Sequence, residues 1–169
     1  SSLLNDDTGL AIDKSASREI CIGILQEGVI SNAGGISHID MAGLGDQGYI
    51  IDIKKDRINV LSTGREGLFY GLQTFRQMVS GRKSLPAMSI RDWPSMENRG
   101  VMYDISRGQM PRVECLINMM DILSNESKCN VFELYIEDTF KWKAYPDIAC
   151  PEAMSPLECR RLFEHGKLN

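Results

Sequence analysis

Histidine is nearly missing: the chain holds only His38 and His165. Two such distant residues build no His-x-x-x-His metal motif, and they leave little for a histidine-based catalytic triad. Long apolar runs are missing as well. None approaches the roughly 20 residues a membrane helix needs, so no membrane partner is expected. No basic run or stripe stands out, and the net charge is −4, which gives no basis for nucleic-acid binding. The five cysteines are Cys21, Cys115, Cys129, Cys150 and Cys159. None forms a Cys-x-x-Cys pair, and their odd number leaves at least one without an intrachain partner. Cys150, Cys159 and His165 match no common zinc spacing, so no metal site is expected.

What is present is ordinary globular composition, 43% hydrophobic and 25% charged over 169 residues. That length suits one medium domain, or one small domain plus part of a second. Residues 1 to about 17 are small and polar and read as a loose start. Ile20 to Leu25 is an apolar, β-branched run, a candidate strand. Gly28 to Gly48 is rich in Gly, Ser and Asn and reads mainly as loop. Tyr49, Ile51 and Ile53 then alternate with Ile50, Asp52 and Lys54. With a turn at Lys55-Asp56 and renewed alternation at Ile58 and Val60, they predict a hairpin. Thr63 to Glu66 fits a capping box with Thr63 as N-cap. Leu68, Leu72, Phe75 and Val79 follow at helical spacing and predict a helix face turned to that hairpin, with Gly81 as its stop. Ala87 to Ile90 is a short strand candidate.

The pattern changes near Asp92. Gly100 to Ile105 and Val131 to Ile136 are strand candidates. Between them, Pro111 suits a first helical position, and Val113, Leu116, Ile117, Met120 and Leu123 mark one helical face. Ser155 to Glu158 is a second capping box, opening a helix expected to end at Gly166. Strand, helix, strand, helix is a βαβα unit with a parallel strand pair. The expected fold class is therefore α/β: residues 1–91 as a small α/β domain with an antiparallel hairpin and packed helix, and residues 92–169 as a separate βαβα segment.

Gly43-Leu44-Gly45-Asp46-Gln47-Gly48 matches G-x-G-x-x-G, but a strand follows it where a dinucleotide site needs a helix. A turn into the hairpin is the better reading. Asp104, Arg107, Glu137 and Asp138 stand at or just past the ends of two parallel strands, and Arg99 stands just before the first. In a parallel βα array both strands end on one edge, where barrel enzymes build their sites. The four later residues should converge on one rim. Ordinary ion pairs capping a sheet fit the same spacing equally well. Trp142 and Tyr145 follow that rim. They suit stacking against sugar rings, although core filler is the commoner use of such side chains.

These residues together resemble the family-twenty glycoside hydrolases over roughly Gly48 to Phe163. Gly48-Tyr49 and Thr63-Gly64-Arg65-Glu66-Gly67-Leu68-Phe69-Tyr70-Gly71-Leu72-Gln73-Thr74 resemble the small α/β domain before that family's barrel. Ile90-Arg91-Asp92-Trp93-Pro94 and Arg99-Gly100 resemble the lead-in to the barrel. Asp104-Ile105-Ser106-Arg107 resembles the end of its first strand, and Asn130 through Phe140 its second strand and loop. The resemblance implies an exo-acting β-N-acetylhexosaminidase, active without metal or organic cofactor on N-acetylhexosamine-containing glycans, and periplasmic or secreted. It implies retaining hydrolysis in which the substrate acetamido group is the nucleophile, supported by an Asp-Glu pair at the end of the fourth barrel strand. Arg99 and Asp138 match substrate-binding positions. Asp104, Arg107 and Glu137 match supports of the rim.

A whole (β/α)₈ barrel takes on the order of 250 residues, so residues 92–169 hold two βα units of it. No catalytic residue is expected in this chain, and the chain alone is expected to be inactive. Its strands are expected to leave exposed edges that promote self-association or a loosely ordered second half. A non-catalytic sugar-binding or assembly module is the alternative.

Overall fold

The computed structural model describes residues 19–25 and 40–168. The loose start and the loop from Gly28 to residue 39 lie outside the described residues. The chain divides into two compact units, Ser1–Glu97 and Asn98–Asn169.

Among the described residues, the first unit is a mixed four-stranded sheet with a helix. The strands are β1 (Glu19–Ile24), β2 (Tyr49–Ile53), β3 (Arg57–Ser62) and β4 (Met88–Asp92), in the order β1-β3-β2-β4. The expected hairpin is β2–β3, with Tyr49 opposite Ser62 and Ile53 opposite Ile58. β1 runs parallel to β3, and β4 antiparallel to β2. Alternation along β2 and β3 sends Tyr49, Ile51, Ile53 and Val60 to one face, under helix α1 (Arg65–Val79). It sends Ile50 and Leu61 to the other, where Met41 and Leu44 cover them. The Gly43–Gly48 segment is a turn leading into β2. Gly43 and Gly45 both take positive φ, 71° and 58°, a conformation that costs glycine little.

α1 starts one residue later than the capping box predicts. Its N-cap is Gly64, without a side-chain cap. Thr63 instead donates its hydroxyl to the Gly45 carbonyl at 2.6 Å. The Asp46 carbonyl accepts from Gly67 N at 2.9 Å, so turn backbone serves a first-turn amide that a side chain would otherwise cap. That approach requires glycine at position 67. A Cβ there would overlap the Gly48 carbonyl oxygen and Ser62 Oγ. The buried stripe of α1 is Gly67, Tyr70, Gly71, Phe75 and Val79. Phe75 and Val79 face the sheet as expected, whereas Leu68 and Leu72 are only half-buried at its flank. Gly81, at φ 68°, ends the helix as expected.

The Tyr49 hydroxyl donates to Asp92 Oδ2 at 2.5 Å and pairs with Thr74 Oγ1 at 2.7 Å. This bond set joins β2, β4 and α1. Burial, then the Asp92 carboxylate, holds the Tyr49 pKa well above the usual phenol value.

The second unit contains β5 (Gly100–Asp104), α2 (Val113–Ser127), β6 (Val131–Tyr135) and α3 (Pro156–Leu168). The two strands are parallel, from Gly100 beside Val131 to Asp104 beside Tyr135. Ile105, Val113, Leu116, Met154 and Leu162 form its core, with Tyr103, Phe132 and Leu134 packed against it. The other sheet face is open: Met102 is 59% exposed, and Val131 and Glu133 are exposed beside it. Gly100 opens β5 because a side chain there would overlap the Val131 carbonyl.

Two expected helix ends move. Arg112 is the N-cap of α2, so Pro111 precedes the helix instead of occupying its first position. α3 continues through Gly166 to Leu168. Gly166 lies inside the helix and is not its stop; a Cβ there would meet only the mobile tip of Met120, 2.9 Å away.

The second capping box forms as expected. Ser155 Oγ donates to Glu158 Oε2 at 2.6 Å, Ser155 N donates to the same oxygen at 2.8 Å, and Glu158 N donates to Ser155 Oγ at 3.3 Å. The Ser155 hydroxyl and then its amide hold the Glu158 pKa below the usual carboxylate value. A carboxylate whose folded pKa is depressed contributes stability that is present above its unfolded pKa and lost as pH falls through the folded one. Ser155→Ala should therefore cost about 0.5–2 kcal/mol at neutral pH. The gap between mutant and parent should narrow as the medium is acidified below the ordinary glutamate range. Denaturant melts at several pH values measure this, and a gap that widens on acidification contradicts the capping role.

Candidate functional site

At the C-terminal edge of β5 and β6, three of the expected rim residues meet. Asp104 is the last residue of β5, and Glu137 lies two residues beyond the end of β6. Arg107 spans them: Nη1 donates to Glu137 Oε2 at 3.1 Å and Nη2 to Oε1 at 2.8 Å, a two-pronged pair. Its Nε lies 3.5 Å from Asp104 Oδ2. The bond to Glu137, then the charges of Glu137 and Asp104, raise the Arg107 pKa. Asp104 accepts from Ser106 Oγ at 2.6 Å and Ser106 N at 2.8 Å. These two bonds, with the Arg107 charge adding to them, hold its carboxyl below the usual range.

Tyr135 completes the cluster. Its hydroxyl donates to Glu137 Oε1 at 3.0 Å, and the Arg107 guanidinium lies 5.8 Å from its ring centre. The bond to Glu137 raises the Tyr135 pKa. Tyr135 and Ser106 were not singled out in the sequence. The signal for Tyr135 was available, since positions two apart on a strand share a side, and Tyr135 is two before Glu137.

Asp138 is exposed, and its backbone carbonyl accepts from Cys150 N at 2.9 Å. Arg99 is at the other end of β5. Its Nε and Nη2 donate to the Lys128 carbonyl at 3.3 and 3.2 Å, and its own amide donates to Asn130 Oδ1 at 2.8 Å. Lys128 is the C-cap of α2, so this guanidinium sits at that helix's negative end. The structure therefore gathers Asp104, Arg107 and Glu137 and leaves Arg99 at the opposite edge of the strand pair.

The loop after β6 is pinned at both ends. Beyond the Asp138–Cys150 bond, Met154 N donates to the Thr139 carbonyl at 2.8 Å and Lys141 N to the Met154 carbonyl at 2.9 Å. Core filler does not describe its aromatic residues: Trp142 is 41% exposed and Tyr145 68%. Phe140 packs edge-on against Trp142, ring centres 4.8 Å apart.

An exposed charge cluster at the carboxyl ends of parallel strands stands on the edge where barrel enzymes build their sites. The model of glycosyl hydrolase family 20, domain 2, matches residues 1–93. The chain belongs to glycosyl hydrolase family 20. The β-hexosaminidase β subunit of Entamoeba histolytica is 31% identical over 116 residues, covering 62% of this chain and 20% of that protein. The Flavobacterium johnsoniae chitobiase structure is 26% identical with a TM-score of 0.63, over 72% of this chain and 20% of that one. A Streptomyces plicatus β-hexosaminidase mutant, solved with its product GlcNAc, shares the fold. It is 21% identical with a TM-score of 0.62, over 74% of this chain and 30% of that one. The chain spans between 11% and 26% of the length of the curated relatives it matches.

Proposed function

We propose that the chain is the front part of an exo-acting β-N-acetylhexosaminidase. Residues 98–169 are the first two βα units of its catalytic barrel. Family membership supports the chemistry, and the Asp104–Arg107–Glu137 cluster carries the assignment of the site. It stands on the edge of the parallel strands where barrel enzymes bind substrate. The open face of β5–β6, opposite the two helices, supports the barrel reading, because a barrel wall has helices on one side and its packed interior on the other.

In the proposed reaction the substrate's own acetamido oxygen attacks the anomeric carbon. A later Asp-Glu pair, outside this chain, orients that group and protonates the leaving oxygen. Within the chain, Arg107 and Asp138 hold sugar hydroxyls. Asp104, Glu137 and Tyr135 fix the orientation of Arg107. Arg99 supports the fold by capping α2. A two-pronged ion pair held on both sides is preorganised, which is what binding a neutral polyol through charged hydrogen bonds requires.

The purified 169-residue chain should release no chromophore from an aryl N-acetyl-β-glucosaminide above buffer background. The same chain extended through the remaining barrel strands should release it. Turnover by residues 1–169 that survives repurification and drops in Glu137→Gln would show that the chemistry lies here. An extended chain that folds and cleaves no N-acetylhexosaminide would remove the hydrolase reading.

A further inference from the structure

The loop between β6 and α3 holds aromatic rings that the proposed chemistry leaves unused. It is a closed loop, tied back to the rim by the backbone bonds Cys150–Asp138 and Met154–Thr139 at 2.9 and 2.8 Å. The bridge between Phe140 and Met154 and the short 3₁₀ turn Pro146–Ile148 stiffen it further. Phe140 is half-buried and abuts Trp142 edge-on, so the indole is braced from behind while 41% of the residue remains open to solvent. Tyr145 is more open still, and its amide donates to the Trp142 carbonyl at 3.3 Å, which folds the two residues into one turn. Large rings that are exposed and also held rigid lose little entropy on binding a ligand, which is the property of a binding surface and not of filler. Trp142 is four residues from Asp138, so its Cα lies at most about 14 Å from the rim carboxylate's Cα.

We propose that Trp142 and Tyr145 form a second sugar subsite, which stacks the pyranose on the leaving-group side of a glycan whose terminal residue is held at the Asp104–Arg107–Glu137 rim. The occupant follows from chemistry. A pyranose presents an apolar C–H face and a polar edge. An open indole and phenol match the face, and Lys141 and Lys143, interleaved with the rings and both exposed, offer donors to the edge hydroxyls. This proposal rests on the hydrolase reading above, and it concerns substrate length, not the reaction.

The test separates the two. In the extended, active chain, Trp142→Ala and Tyr145→Ala should each lower kcat/KM for a chitotriose substrate by about tenfold. Both should leave kcat/KM for an N-acetyl-β-glucosaminyl azide, whose leaving group carries no ring to stack, within about twofold, and Trp142→Phe should retain most of the trisaccharide activity. Equal loss on both substrates would mark the rings as scaffold for the rim and overturn the subsite, as would no loss on either. The second arm needs no catalysis. The 169-residue chain with Trp93→Phe keeps Trp142 as its one tryptophan. Its fluorescence should titrate saturably with chitotriose, and Tyr145→Ala should weaken that binding about tenfold. If the extended chain hydrolyses nothing and chitotriose still titrates Trp142, the loop binds sugar, and the hydrolase reading and with it the leaving-group assignment fall. If aryl substrate is cleaved and Trp142 does not respond, the subsite alone falls.

Discussion

Phe75→Ala should destabilise the first unit by about 3–5 kcal/mol, the cost of removing a large buried ring from a core that cannot fully collapse. Phe75 is 2% exposed and sits among Tyr49, Ile51, Val60, Tyr70 and Val79. The sheet beneath it is fixed by ladders on both sides of β2, so the space left by the ring has no easy route to close. Against a whole-domain stability of about 5–15 kcal/mol, a loss of that size is a large part of the total. With a urea slope of about 1–3 kcal/mol/M it should move the midpoint by one to several molar. Leu72→Ala is the control. Leu72 is half-buried at the edge of the same cluster, so its truncation should cost clearly less. If Leu72→Ala proves the more damaging of the two, the buried stripe runs along Leu68 and Leu72, and the helix register described above is wrong.

In the extended chain of the proposed hydrolase, Arg107→Ala should lower kcat/KM by about 10- to 150-fold. That is the kinetic equivalent of losing one charged hydrogen bond to a substrate hydroxyl, about 1.5–3 kcal/mol. Stability should change little, because the Arg107 side chain is 65% exposed and exposed ion pairs contribute little. Arg107→Lys should recover only part of the loss, since an ammonium cannot make the two-pronged contact to Glu137. Arg99→Ala should behave in the opposite way. It removes the donors to the Lys128 carbonyl and should lower the melting midpoint, with near-normal kinetics in the folded enzyme. A variant pair in which Arg99→Ala loses the activity and Arg107→Ala keeps it would place the sugar at the other end of β5.

Much of this molecule is legible in its residues. Period-two alternation marks β2 and β3. Ser155 and Glu158 mark the start of α3, because a capping box is a local pattern satisfied within four residues. The shared edge of Asp104, Arg107 and Glu137 also follows from the sequence. Strands joined through a helix run parallel, so their ends point the same way. Tertiary structure decided what depends on residues far apart in the chain. Glycines at 67 and 71 carry no apolar signal, yet they let α1 approach the sheet and rotate its buried stripe away from Leu68 and Leu72. The Asp46 carbonyl, 21 residues before Gly67, serves a first-turn amide of α1, and the Thr63 hydroxyl bonds the Gly45 carbonyl instead of capping the helix. The sequence places Arg99 next to a strand of the rim, and only the fold shows that it stands at the opposite end of that strand and donates to the Lys128 carbonyl. Trp142 and Tyr145 could have gone either way, because an aromatic side chain reads the same in a core and on a surface. A loop tied at Asp138–Cys150 and Thr139–Met154 holds them outward. Local rules fix what a residue can form with its chain neighbours, and the partner across the fold decides which of those options it takes.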